Sequence, residues 1–413
     1  MGHNARVMAL SSPQEIAEEM TRVGAEPGGV ERMLPKARHY LVKLEGVRTP
    51  LAHILKETFL SAGGDAVVSR DVITSRVERT DIILIGTRKH YSSVLSALSA
   101  QKFGAKELAA EIEETVMRYD ALAAPLPHDL DVSPRARRMF DEMARRTLVM
   151  GILNVTPDSF SDGGRHRDQD AATTWALQMA ADGADIVDVG GESTRPGAEP
   201  VTEQEETDRV VPVIERIRRE CDVAVSIDTC KSAVARAALN AGADMVNDIS
   251  GMSFDPQMRL LVAERRVPAI LMHIKGTPRD MQKDPVYDDL LSEITAYLRE
   301  RIREAVEAGV DERLLIVDPG FGFGKTVEHN LVILRRLREI KSMGRPILIG
   351  TSRKSTIGRV LGDLPPEERL EGTAATVALS IANGASIVRV HDVKEMARVV
   401  RMSDAVVRGE TAQ

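Results

Sequence analysis

Three stretches of the chain share one design: ADGADIVDVG at 181–190, NAGADMVNDI at 240–249 and ANGASIVRVH at 382–391. In each, a helical pattern stops at a Gly, a small residue follows, and an apolar strand-like run begins. Glycine suits the left-handed position that closes a helix. The matched spacing means that a strand–helix unit recurs. Read on that basis, strands fall near 148–156, 185–191, 223–229, 245–250, 268–274, 314–320, 346–352 and 386–392. Helices fall near 170–182, 203–220, 231–241, 256–266, 288–308, 328–343, 371–383 and 393–408. Eight units over about 260 residues match the size of a TIM (β/α)8 barrel. The rival is a doubly wound open sheet. Regular units without a long interruption favour closure, so the barrel is the expected fold.

The rest of the chain precedes the barrel. Strand patterns are expected at 40–45, 66–73 and 81–87, and helices at 14–23, 50–62, 91–100 and 106–119, with Thr49 as the N-cap of the second helix. This is a small α+β domain with no chemical constellation. Arg88, Lys89 and His90 follow a strand end and read as a solvated loop. Pro125, Pro127 and Pro134 mark a linker, and a helix from about 134 to 146 leads into the barrel. The expected domains are 1–135, the α+β domain with its linker, and 136–413, the barrel.

The formal charge of −7 offers no basic surface for nucleic acid or anionic lipid. No apolar run reaches about 18 residues, the length of a membrane span, and no signal-peptide pattern opens the chain. Cys221 and Cys230 lack metal-type spacing, which suits a reducing, cytoplasmic setting. Aromatics are only 3 %, so the core must be aliphatic.

In an α/β barrel, polar residues at strand carboxyl ends are functional candidates. Here nearly every strand has one: Asn154, Asp188 with Glu192, Asp228, Asn247 with Asp248, His273, Asp318, Ser352 with Arg353 and Lys354, and Arg389 with His391. Their convergence on one mouth implies a polar ligand. Asp228, Asn247 and Asp318 supply acceptors and an amide, which suits a flat heterocycle bearing N–H and C=O groups. Lys354, Arg389 and His391 suit phosphate. Asn154 is a neutral oxygen ligand for Mg2+, whose shell phosphates and water would complete. Two loops, from Pro157 to about Gln169 and from Gly190 to Val201, are rich in turn residues and placed to cover a substrate. GFGFGKT (320–326) imitates a phosphate-binding loop, but Pro319 stands where its first Gly is required. His273 and His391 are too isolated to argue for zinc.

NVTPDSFSDGG, IVDVGGESTRPGA, SIDT, VNDIS, DPGFGFGK, SRKS and RVHD, in that order, resemble the dihydropteroate synthase family over about residues 147–405. The resemblance implies condensation of 6-hydroxymethyl-7,8-dihydropterin diphosphate with 4-aminobenzoate, giving 7,8-dihydropteroate and diphosphate for folate synthesis. It implies that Asn154 holds Mg2+ against the diphosphate, with Arg389 and His391 as further diphosphate ligands. Asp228, Asn247, Asp318 and Lys354 would hold the pterin, with Met272 and Phe323 lining its pocket. Phe160, Thr194, Arg195, Pro196 and Ser355 would form the 4-aminobenzoate site. A homodimer through barrel helices is also implied. An aromatic residue usually follows SRKS, and Thr356 stands there instead, which alters packing beside the aminobenzoate pocket. The alternatives are a corrinoid-dependent methyltransferase acting on methyltetrahydrofolate and a catalytically silent barrel with an interaction role. The TPDSF and STRPG loops and the RVH motif favour the synthase. The N-terminal domain lies outside the resemblance.

Overall fold

The structure is a computed structural model that describes residues 3–409 except 11, 74–75, 100, 102–103, 122–123, 157–164, 194–196 and 198. The chain divides into two compact units, Met1–Arg118 and Tyr119–Gln413. No helix among the described residues is long and apolar enough to cross a membrane.

The first unit carries helices α1 (Pro13–Arg22) and α2 (Pro27–Met33), strand β1 (His39–Arg48), helix α3 (Thr49–Ser61), strand β2 (Asp65–Val68), helix α4 (Arg70–Ile73), strand β3 (Arg79–Thr87) and helices α5 (Arg88–Ser99) and α6 (Ala105–Asp120). Among the described residues the strands form an antiparallel sheet of order β1-β3-β2. Tyr40, Val42 and Leu44 alternate inward along β1, the period expected of a half-buried strand. Tyr91 joins the layers: its ring meets Phe59 edge-on at 5.1 Å, and its hydroxyl donates to Leu84 O at 2.9 Å.

Three expectations fail here. Arg88, Lys89 and His90, expected in a solvated loop, form the start of α5. The strand expected at 66–73 stops at Val68, because Ser69 turns the chain into α4 by accepting the Asp71 and Val72 amides on its hydroxyl and carbonyl. Thr49 is not an N-cap. Arg48 holds that position, and Thr49 instead donates its amide to Glu78 O and its hydroxyl to Val77 O.

The second unit opens with α7 (Pro134–Met143), capped by Ser133 Oγ on the Ala136 amide at 3.1 Å. Eight parallel strands follow: β4 (Leu148–Asn154), β5 (Ile186–Gly190), β6 (Ala224–Asp228), β7 (Met245–Asp248), β8 (Ala269–Met272), β9 (Leu315–Asp318), β10 (Leu348–Ile349) and β11 (Ile387–Val390). Their order is β10-β11-β4-β5-β6-β7-β8-β9, and the bridge Val317–Ile347 joins β9 to the entry of β10, closing the ring. Around it run α8 (Arg165–Asp182), α9 (Glu203–Glu220), α10 (Ser232–Asn240), α11 (Gln257–Arg265), α12 (Leu290–Glu307), α13 (Val327–Arg336), α14 (Ser355–Val360), α15 (Leu370–Ala382) and α16 (Val393–Arg408). The sequence pattern missed α2 and α14. It also started α8 late and gave β10 seven residues where the ladder uses two.

Alternate strand residues separate two cores. Outward positions such as Val149, Val187, Val225, Val246, Leu271, Val317 and Val388 pack with the helices. Inward positions Met150, Ile186, Ala224, Met245, Ile270, Ile316, Leu348 and Ile387 cluster with Met139, Phe140 and Met143 of α7. The lower barrel is therefore an apolar plug sealed by α7, which leaves the upper mouth to a ligand.

The repeat has a physical cause. Gly183, Gly242 and Gly384 take φ of +107°, +110° and +96°. The residue after each donates back into the ending helix, Ala184 to Met179 O, Ala243 to Ala238 O and Ala385 to Ser380 O, at 2.9–3.0 Å. One more residue, Asp185, Asp244 or Ser386, leads into the new strand. Asp185 Oδ2 accepts the Val149 amide at 2.8 Å and Asp244 Oδ2 the Val225 amide at 2.9 Å. Gly309, at φ +98°, closes α12 in the same way, a fourth copy that the sequence comparison did not pick out.

Candidate active site

Moving up five of the strands, the inward positions change from apolar to polar. Ile186 is followed by Asp188, Ala224 by Ser226 and Asp228, Met245 by Asn247, Ile316 by Asp318 and Ile387 by Arg389. Strand register brings these together: Asn154 pairs with Gly190, Gly190 with Asp228, Asp228 with Asn247, and Met272 with Asp318.

Arg389 ties the ring across its width. Its Nε donates to Asp188 Oδ2 at 2.6 Å and its Nη2 to Asp228 Oδ2 at 2.6 Å. Asn247 Nδ2 donates to the same Asp188 oxygen at 3.0 Å. Asp188 is wholly buried, and its Oδ1 has no hydrogen-bond partner among the described residues. Burial pushes the Asp228 carboxyl up to about 7, against the pull of Arg389. Burial likewise raises Asp318, while Lys354 pulls it down. Asp318 Oδ1 accepts the Gly320 amide at 2.7 Å. Burial lowers Lys354 to about 8, with Asp318 opposing. The Lys354 ammonium donates to Phe321 O and stands 4.5 Å from the Phe323 ring centroid. Met272 packs with Ile249, Ile274 and Met281, and Phe323 and Cys230 lie against this cluster, giving the mouth one apolar wall.

Other expected residues occupy the rim. Asn154 is half-buried at the end of β4. His391 Nδ1 lies 3.0 Å from Ser352 Oγ, which also accepts the His391 amide. Ser355 opens α14 and is exposed. Arg353, at φ +57°, turns away to pair with Asp392, and its carbonyl accepts from Arg369. That strained residue separates Ser352 from Lys354. Thr356, expected to alter the local packing, is buried and accepts from Asn330 Nδ2 at 2.9 Å. Phe160, Thr194, Arg195 and Pro196 lie outside the described residues.

The ends of the second loop are described. Lys231 Nζ donates to Glu192 Oε2 at 2.8 Å, Glu206 Oε2 at 2.6 Å and Val201 O at 2.9 Å, while Glu192 Oε1 accepts the Val201 amide. Lys231 was not singled out from sequence, and Asp188 was seen but given no role. Their positions, just after or within strand ends, were the available signal. Chemically, the mouth offers buried carboxylates and an amide for ring N–H and C=O groups, with cations beside them.

Residues 150–391 match the family model of pterin binding enzymes. A dihydropteroate synthase of Bacillus subtilis is 54 % identical over 260 residues, 63 % of this chain and 88 % of that protein. A probable bifunctional folylpolyglutamate synthase/dihydropteroate synthase of Halobacterium salinarum is 41 % identical over 404 residues, 98 % of this chain and 47 % of that one. Among solved structures, a Clostridium difficile dihydropteroate synthase determined in the presence of pteroic acid superposes with a TM-score of 0.61 at 47 % identity, covering 64 % of this chain and 98 % of that one.

Proposed function

The chain belongs to the pterin-binding enzyme family, and we infer from that premise that its barrel is a dihydropteroate synthase. It condenses 6-hydroxymethyl-7,8-dihydropterin diphosphate with 4-aminobenzoate and releases diphosphate. The observation that carries the reading is the ring of buried Asp188, Asn247 and Asp318 and half-buried Asp228, Lys354 and Arg389 above an apolar plug.

In this reading Asp318 and Asp228 accept from the pterin's amino and ring N–H groups, and Asn247 and Lys354 serve its acceptors. Met272 and Phe323 cover its faces. Arg389 uses Nε and Nη2 on carboxylates, which leaves Nη1 for a diphosphate oxygen. His391 binds beside it. Asn154 supplies one neutral amide oxygen, and no cluster of three His, Cys, Asp or Glu among the described residues could cage a metal. That donor set fits Mg2+ held mainly by substrate phosphates and water. When bound, Mg2+ neutralises charge on the leaving diphosphate.

The C–O bond to diphosphate breaks early, leaving a pterin-methyl cation. The Asp228 and Asp318 carboxylates lie in its field. The neutral aryl amine of 4-aminobenzoate attacks, then loses a proton to water. Phe160, Thr194, Arg195, Pro196 and Ser355 form the aminobenzoate site in this reading. We also place the enzyme in the cytoplasm, where its free cysteines suit a reducing medium, and expect a homodimer through barrel helices.

The test supplies purified protein with the pterin diphosphate and Mg2+, with and without 4-aminobenzoate, and follows diphosphate and dihydropteroate. Coupled, aminobenzoate-dependent release is expected. Pterin binding without condensation would overturn the reaction assignment.

A further inference from the structure

The turn that imitates a phosphate-binding loop does different work. Its consecutive carbonyls are each taken by a side chain. Phe321 O accepts from Lys354, Gly322 O from Gln282 at 2.7 Å, Phe323 O from Lys325 at 2.9 Å and Gly324 O from Tyr287 at 2.7 Å. Two of its amides are pinned as well, Gly320 on Asp318 Oδ1 and Gly322 on Asn330 Oδ1 at 2.8 Å. Gly320, Gly322 and Gly324 alternate in the left-handed region at φ +69°, +83° and +64°. Such a path forms little regular backbone pairing, so side chains set its shape.

Among the side chains that take these carbonyls Lys325 is the most enclosed, at 3 % exposure. Its Nζ bridges Phe323 O and His273 Nδ1, 2.9 Å from each. His273 is 4 % exposed, and its ring meets Tyr297 edge-on at 5.0 Å. Its amide donates to Asp318 O at 2.9 Å. A Cβ added at Gly320 would lie 1.8 Å from His273 O, so the β8 end and the turn after β9 touch backbone to backbone. Burying an ammonium is costly. A methionine would fill the same space without that cost. The ammonium adds directed bonds, one to the residue whose ring walls the mouth.

We propose that Lys325 and His273 are positioning residues of the pterin site, fixing Phe323 and, through the same turn, the carbonyl that receives Lys354. The proposal rests on the pterin-binding reading above. It assigns the two residues to pterin affinity and not to the aminobenzoate side.

The test uses the full chain and two readouts: titration with 6-hydroxymethylpterin, and steady-state KM for 4-aminobenzoate at saturating pterin diphosphate. Lys325→Met is expected to weaken the pterin by about tenfold, because a small displacement of a positioning group is amplified at the site. KM for 4-aminobenzoate should stay within about twofold, since the bonds of Lys325 and His273 go to the turn and to each other and not to Ser355. His273→Asn keeps an acceptor near the Nδ1 position and should retain pterin affinity, whereas His273→Leu should lose it as Lys325→Met does. If Lys325→Met does not fold, the His273 pair decides. Wild-type pterin affinity in Lys325→Met or His273→Leu, or equal weakening of both substrates, would overturn the proposal alone, provided that the wild-type protein binds pterin and condenses it. A wild-type protein that does neither would overturn the functional reading and this proposal together.

Discussion

Asp228 and Lys354 titrate toward each other across the mouth. Burial drives the carboxyl up to about 7 and the ammonium down to about 8. In the proposed function, substrate capture needs the carboxylate of one and the cation of the other. The accepting form of Asp228 is lost as pH falls through about 7, and the donating form of Lys354 as pH rises through about 8. kcat/KM for the pterin diphosphate should therefore be bell-shaped and narrow, since it reports the free enzyme. Lys354→Arg should move the alkaline limb upward, because a guanidinium stays charged. An unmoved limb would assign it to another group. Asp318→Ala should abolish pterin binding in a titration with the pterin alone, and near-normal affinity there would remove Asp318 from the site. These residues were legible in sequence because a barrel strand exposes its chemistry at one end, as Asn247 and Asp318 do. The role of Lys325 was not legible. It depends on a carbonyl two residues back along a left-handed path and on a histidine just past β8, which no local pattern encodes.

At the scale of elements, the join between helix and strand carries the design. Asp244 shows why. It is 4 % exposed in its side chain and takes Arg218 at 2.8 Å, Arg135 at 2.7 Å and the Val225 amide. Asp244→Ala takes a buried carboxylate from two guanidinium groups, which keep their bonds to Asp222, Gly242 O and Val223 O, and an acceptor from the Val225 amide; it should cost about 3–5 kcal/mol, the range for breaking a buried pair. Denaturant unfolding would measure it. Asp244→Asn, which keeps an oxygen for the amide, should cost less, and equal costs would deny the charge any part. The helices and strands of the barrel were readable because glycine at helix ends and apolar runs after them are strong local signals. Short elements were not: α14 has six residues behind a strained Arg353, and α4 is one turn set by Ser69.

At the scale of the whole molecule, the chemistry and the extra domain separate. Every described residue assigned to substrate lies in the unit that begins at Tyr119. The Bacillus subtilis synthase aligns with only 63 % of this chain, so its match does not require the first unit, whereas the halobacterial relative aligns with nearly all of it. The first unit has its own sheet, buried aromatic cluster and helices, the attributes of a domain with an independent core. The open face of that sheet exposes Leu41 and Val67, which gives it material for contacts of its own. Removal of residues 1–118 should therefore leave pterin affinity within about twofold, since none of the residues assigned to the pterin lies among them. Calorimetric titration of the full chain and the truncated chain with 6-hydroxymethylpterin would check this. Solution mass of the two forms would show, in the same samples, whether the first unit contributes to assembly. A tenfold or greater loss of pterin affinity, with the truncated barrel still folded by its unfolding transition, would mean that the first unit shapes the mouth. The site would then belong to both units.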